Sequence, residues 1–182
     1  MEIYTIGHST HTENEFVILL KKYEIEILVD VRSFPGSKYV PQFNKENMKI
    51  WLPREGIKYL HMTELGGRRS KNKDIDESLV DGWKNVAFRN YAEYSLTKGY
   101  EEGIDRLFVL SEKNRVCIMC AEAVPWRCHR SIISNTLVSE GISVYHIMPE
   151  GHVITHEIGM YGPKAIKEGT QLIYPKEEER KH

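Results

Sequence analysis

Residues 26–37, EILVDVRSFPGS, decide how this chain folds. Ile27, Leu28, Val29 and Val31 form an apolar run interrupted only by Asp30, and Pro35-Gly36 stops it. A strand with one wet face alternates apolar and polar positions, whereas a strand covered on both faces is apolar nearly throughout. The stretch therefore predicts a central strand of a parallel sheet, ending near Arg32 and Ser33.

On the N-terminal side, EIYTIGHS (2–9) reads as a short strand ending at Gly7. Thr12 and Glu15 then have the spacing of a capping box, which predicts a helix from about Glu13 to Tyr23. Its apolar positions Phe16, Leu19, Leu20 and Tyr23 recur at intervals of three and four, so one face can lie on a sheet. On the C-terminal side, NKENMKIWLPREGI (44–57) predicts a short helix broken near Pro53, followed by a strand around Ile57 to Leu60 and a basic loop, ELGGRRSKNKD (64–74). Glu77 to Asn114 reads as mostly helical, in two pieces separated near Gly99. RVCIMC (115–120) is a strand, Trp126 to Glu140 a helix between Pro125 and Gly141, and SVYHIM (143–148) the strand that closes the sheet. The alternation predicts an α/β fold, a three-layer Rossmann-like domain with a mainly parallel central sheet flanked by helices, over residues 1–148. Residues 149–182 form a C-terminal extension, partly solvated, with KEEERKH (176–182) as its solvated end.

The 182 residues suffice for one well-packed core, and 41% hydrophobic with 28% charged residues excludes a disordered chain. With 25 basic against 26 acidic side chains, the molecule has no overall field for nucleic acid or anionic membrane, so any anion binding must be local. No apolar run approaches the ~20 residues needed to span a bilayer, and the N-terminus lacks a targeting pattern. Three cysteines cannot all pair within one chain, which fits reduced thiols or a metal and a cytoplasmic location.

Ligands of open parallel sheets sit at the carboxyl ends of the strands, and that rule gathers His8 and Ser9, Arg32, and Cys120 with Glu122 around one crevice. The segments YTIGHS, LVDVRSFPGS, LGGRR and CAEAVPWRCHR, in this order and at these distances, resemble the domain of unknown function 488 family from Ile3 to about Ile147. The resemblance implies an α/β fold and importance for His8, Ser9, Asp30, Arg32, Pro35, Cys120, Glu122, Cys128, His129 and Arg130. Cys117 lies outside its motif.

Three readings of CIMCAEAVPWRCHR (117–130) stay open. Cys117 and Cys120 with Cys128 and His129, or Cys120, Cys128 and His129 without Cys117, supply donors suited to zinc, although residues three apart on a strand face opposite sides. Cys120, between a strand and a helix N-terminus with Arg127 and Arg130 nearby, is a candidate reactive thiol, and Cys117 is a small core residue. In the third reading, Arg127 and Arg130 at the helix start, with Arg32, Arg68 and Arg69 from elsewhere, hold an anion. Asp30, inside an apolar strand, needs a partner, and an arginine such as Arg130 is expected to provide it. Glu122 and His8 are the acid-base candidates, and Phe34, Tyr39 and Phe43, with Tyr91 and Tyr94, offer faces on which a base can stack.

The leading expectation is an enzyme, a hydrolase or transferase, that binds a nucleotide or nucleic-acid segment through acid-base or thiol chemistry. The alternatives are a non-catalytic nucleic-acid-binding protein and a zinc protein. No cofactor is required by the sequence, and no G-x-G-x-x-G follows a strand to support a nicotinamide or flavin. Oligomeric state stays open.

Overall fold

The computed structural model describes residues 1–178. Its centre is a six-stranded sheet built from β1 (Glu2–Gly7), β2 (Ile27–Asp30), β3 (Lys58–His61), β4 (Val116–Cys120), β5 (Ser143–Ile147) and β6 (Val153–Thr155), in the order β3-β2-β4-β1-β5-β6. The first five strands are parallel, and β6 runs antiparallel to β5. On one face lie α1 (Glu13–Lys22) and α2 (Lys45–Arg54), whose Phe16, Leu20, Met48 and Leu52 meet Ile6, Leu28 and Met119. On the other lie α3 (Val86–Tyr94), α4 (Lys98–Ser111) and α5 (Arg130–Ser139), where Tyr91, Leu107 and Ile133 meet Ile3, Val29 and Ile118. The result is a three-layer α/β domain. All four residues of β2 are buried, as a strand covered on both faces must be.

Local chemistry explains most element ends. Thr12 accepts from the Glu15 amide at 3.1 Å, and the Glu15 carboxylate accepts from the Thr12 amide at 3.3 Å, which closes the capping box that starts α1. The helix α2 continues through Pro53 and stops at Arg54, because a proline so close to the C-terminus ends the helix rather than breaking it midway. The interruption expected near Gly99 falls at Ser95 to Thr97, and Gly99 lies in the first turn of α4.

Two expectations are corrected at the C-terminal half. The helix expected from Trp126 begins at Arg130 instead. Pro125–Arg127 makes a separate 3-10 turn, and Cys128 is extended with φ −138° and ψ 150°, which cannot continue a helix. The sheet does not close at β5 either, since β6 covers that edge. Beyond it, β7 (Ile166–Glu168) and β8 (Gln171–Ile173) form a hairpin that delivers Tyr174 to the core, fully buried against Trp83. Lys176 to Glu178 are exposed, and the remainder of the end expected to be solvated, residues 179–182, lies outside the described residues.

The register brings the strand ends level: Gly7 is opposite Cys120, and Asp30 is opposite Met119. The chain beyond β4 then folds back over β1, and this needs glycine at position 7. A Cβ there would sit 1.6 Å from the Glu122 carbonyl oxygen, a backbone atom that cannot swing aside. Gly7→Ala is expected to cost about 3 kcal/mol or more in denaturant unfolding, the scale of severe overpacking. Gly36→Ala, where nothing lies within 4 Å of an added Cβ, should change stability by less than about 1 kcal/mol. Equal effects at the two positions would contradict the packing assigned to Gly7.

Candidate active site

A crevice of about 240 Å³ opens at the carboxyl ends of β2 and β4. Ser33 and Phe34 line one side, Gly67 and Arg68 another, and Cys120, Ala121, Glu122, Arg127, Cys128 and His129 close it. A second hollow of about 120 Å³, lined by Tyr100, Thr136 and Leu172 among others, contains none of the nominated residues.

Cys128 lies buried in the wall of the crevice. Its sulfur caps the start of α5, accepting the Arg130 amide at 3.5 Å, and lies 3.4 Å from His129 Nδ1. His129 Nε2 is 2.8 Å from the Val31 carbonyl oxygen, which can only accept, so Nε2 carries the hydrogen and Nδ1 presents its lone pair to the thiol. Gly67 makes room for this ring, since a Cβ there would be 2.4 Å from Nδ1. Burial opposes ionisation of Cys128. The neighbouring Cys120 thiol, the Arg130 charge and the Arg130 amide together outweigh it and bring the thiol down to about 7. Burial, and then the neighbouring Cys128, pushes up the Cys120 thiol, whose hydrogen goes to the Glu122 carbonyl oxygen at 3.7 Å. Burial lowers His129, which keeps it a neutral acceptor.

Arg130 lies beneath this pair and is 0% exposed. Nη1 donates to Thr5 Oγ1 at 3.0 Å and Nη2 to the Glu122 carbonyl oxygen at 2.8 Å, while Nε has no partner among the described residues. No carboxylate among the described residues pairs with it, so the expected Asp30–Arg130 ion pair is not formed. Asp30 pairs instead with Arg32, through Nε at 2.9 Å and Nη2 at 2.7 Å, and it also accepts from the Arg32 amide and the Tyr59 hydroxyl. Burial and then Asp30 raise Tyr59, which keeps its hydroxyl a donor.

This arrangement separates the nominated residues. Arg32 borders the crevice, but its guanidinium is occupied by Asp30, the Phe43 carbonyl and His8 Nε2. His8 is stacked on Phe43 at 4.5 Å and uses both nitrogens, Nε2 accepting from Arg32 and Nδ1 donating to the Ser9 carbonyl. Burial, with the nearby Arg32 charge assisting, lowers His8 to about 4. Phe43 is thereby a core residue. Ser9, in a left-handed backbone conformation with φ 44°, is bonded through its amide to Ala121 and does not line the crevice. Tyr39 is 95% exposed away from it. Arg69 stacks 3.6 Å over the Tyr94 ring and donates to the Gly66 and Thr63 carbonyls. By contrast, the Arg68 and Arg127 guanidinium groups are exposed on the rim and make no side-chain hydrogen bond or ion pair among the described residues. Glu122 is exposed at the mouth, its carbonyl turned inward to Arg130. Cys117 is buried against the other face of the sheet, among α1 and α2.

Among the described residues, no three His, Cys, Asp or Glu side chains converge to hold a metal. His129 faces Val31 with one nitrogen and Cys128 with the other, and Cys117 points away. The residues missed by the sequence reading are Ser33, whose hydroxyl accepts the Arg68 amide at 2.9 Å, together with Thr5, Tyr59, His146 and His156. Each is an ordinary residue in an ordinary segment and becomes notable only through its partner.

The family described as Domain of unknown function DUF488 matches residues 12–137. The chain belongs to this family. No curated protein and no solved structure matches it. The matched stretch contains every crevice-lining residue, but it begins after the Tyr4 to Ser9 segment and ends before β5. Among the described residues of this DUF488 member, no helix is long and apolar enough to cross a membrane.

The buried histidines set a pH dependence. His8 and His156 stand at about 4 in the fold against 6.5 for the free side chain, so below 6.5 the unfolded chain binds protons that the native one does not. Stability should therefore fall as pH drops from 6.5, by roughly 3 kcal/mol at pH 5 for the two together. Denaturant titrations at pH 7, 6 and 5 check this, and equal stability at pH 7 and 5 would contradict the buried neutral state.

Proposed function

We propose that this protein is a thiol-dependent enzyme, a hydrolase or transferase acting on a phosphorylated ligand of the nucleotide class, with Cys128 as nucleophile. The observation that carries the reading is the fully buried Arg130, whose amide donates to the Cys128 sulfur at 3.5 Å and whose guanidinium meets no carboxylate among the described residues. A buried cation requires a counter-charge, and of the two thiols beside Arg130, Cys120 and Cys128, it is Cys128 that is drawn towards ionisation. This moves the nucleophile from Cys120, the sequence's candidate, to Cys128, and leaves Cys120 as a protonated neighbour that donates to the Glu122 carbonyl oxygen.

His129 takes the base role first assigned to His8. Its Nδ1 accepts the Cys128 proton while Val31 fixes the ring, the nucleophile, base and orienting group of thiol catalysis. The thiolate attacks an electrophilic centre of the ligand, and the leaving group departs with a proton returned by His129. Water or an acceptor then releases the bound group. Glu122, at the mouth, is placed to assist that second displacement as a general base.

Arg68 and Arg127 are the free cations on the rim and would hold the phosphate. Phe34, 74% exposed with the Arg68 guanidinium 5.7 Å from its ring, offers the face on which a base would stack. The reading places the protein in the cytoplasm, where thiols stay reduced.

Thermal denaturation with phosphate, nucleotides and short oligomers tests it. A ligand at 100 times its dissociation constant should stabilise by about 2.7 kcal/mol, and Arg68→Ala with Arg127→Ala should remove that shift. Cys128→Ser should keep the shift and abolish turnover, while Cys117→Ser retains both. Turnover that survives Cys128→Ser would reject the nucleophile, and ligand binding without any turnover would leave a binding protein.

A further inference from the structure

Arg130 is the first member of a continuous buried chain of hydrogen bonds. Arg130 Nη1 meets Thr5 Oγ1 at 3.0 Å, Thr5 Oγ1 meets His146 Nδ1 at 2.6 Å, and His146 Nε2 meets His156 Nδ1 at 2.8 Å. His156 Nε2 meets Asn135 Oδ1 at 2.7 Å, and Asn135 Nδ2 meets the Tyr174 hydroxyl at 3.1 Å. Thr5, His146, His156, Asn135 and Tyr174 are all buried.

The direction of the chain follows from Asn135 Oδ1, which accepts the Gly159 amide at 3.1 Å and therefore accepts from His156 Nε2 as well. A neutral His156 then accepts at Nδ1 from His146 Nε2, and a neutral His146 accepts at Nδ1 from the Thr5 hydroxyl. The Thr5 oxygen accepts in turn from the Arg130 guanidinium, which only donates. Every dipole thus has its negative end towards Arg130. Aligned dipoles polarise one another in a low-dielectric interior and stabilise the charge they face.

We propose that the segment after β5 is part of the Cys128 site: His156, through His146 and Thr5, holds Arg130 charged and in place beneath the thiol. The inference rests on Cys128 being the nucleophile. It makes His156, His146 and Thr5 positioning residues, none of which touches the ligand. Of the five side chains beyond Arg130, only Asn135 lies within the stretch that the family matches. Around Cys128-His129-Arg130, the relay is therefore built largely by β1, β5 and the C-terminal extension, outside the matched stretch. Both histidines are held neutral, mainly by burial, as the relay requires. The other ionisable groups about Cys128 are Cys120 on β4, His129 beside it, Tyr91 from α3, and Arg32, Arg68, Glu122 and Arg127 around the crevice, none of which belongs to the relay.

Two measurements test this. Imidazole nitrogen NMR of the wild-type protein should show His146 and His156 as neutral Nε2–H tautomers from pH 7 down to pH 6. The Nδ1–H tautomer, or an imidazolium, at either residue overturns the relay, and this result needs no variant to fold. Second, the pH profile of Cys128 alkylation by iodoacetamide, followed by mass spectrometry of its peptide, should shift upward by at least about one unit in Thr5→Val and in His156→Leu. Thr5→Ser, which keeps the hydroxyl, should return the wild-type profile. A low wild-type inflection unmoved in Thr5→Val and His156→Leu overturns the relay alone. An ordinary thiol inflection in the wild type removes the nucleophile reading, and this role with it.

Discussion

The site depends on a guanidinium that has no carboxylate. Removing a cation from water costs several kcal/mol after relaxation, and folded chains meet that cost with a paired anion or a full set of acceptors. Arg130 has two neutral acceptors, Thr5 and the Glu122 carbonyl, and a nitrogen left over. The helix start, the Cys120 thiol and the buried charge all act on one sulfur, so the same arrangement that makes Arg130 costly to bury makes Cys128 easy to ionise.

Arg32 provides the contrast within the same crevice. Whereas Arg130 opens α5, Arg32 follows the end of β2, and Asp30 neutralises it through two parallel hydrogen bonds, while His8 and the Phe43 carbonyl take further hydrogens. That network ties β2 to the loop before α2 and to the end of β1. One arginine is thus a structural tie and the other an electrostatic support for chemistry, and the difference lies wholly in which carboxylate reaches which cation.

The sequence carried the architecture in its apolar runs and caps. Ile27 to Val31 reads as a central strand because both faces are covered, Val116 to Cys120 reads as a further strand, and Thr12 with Glu15 announced α1. It did not carry β6, β7 and β8, three-residue strands too short to show a period. Nor did it carry the late start of α5, since nothing local to Trp126 requires Cys128 to be extended. The crevice position followed from the strand-end rule, but the roles within it did not. Thr5 and His146 are 141 residues apart and touch only because β5 lies beside β1. The partner of Asp30 likewise depends on where two arginines point once the sheet has formed.

The most direct test of the account is the ultraviolet thiolate absorbance of the wild-type protein as a function of pH, with the Cys128→Ser signal subtracted. The account predicts a single thiol half ionised at about 7, the value at which Arg130 and its neighbours outweigh burial. A Cys128 that ionises only at about 8.5 or above, like a free cysteine, would mean that Arg130 is neutralised by something other than the thiol, and would contradict the assigned site.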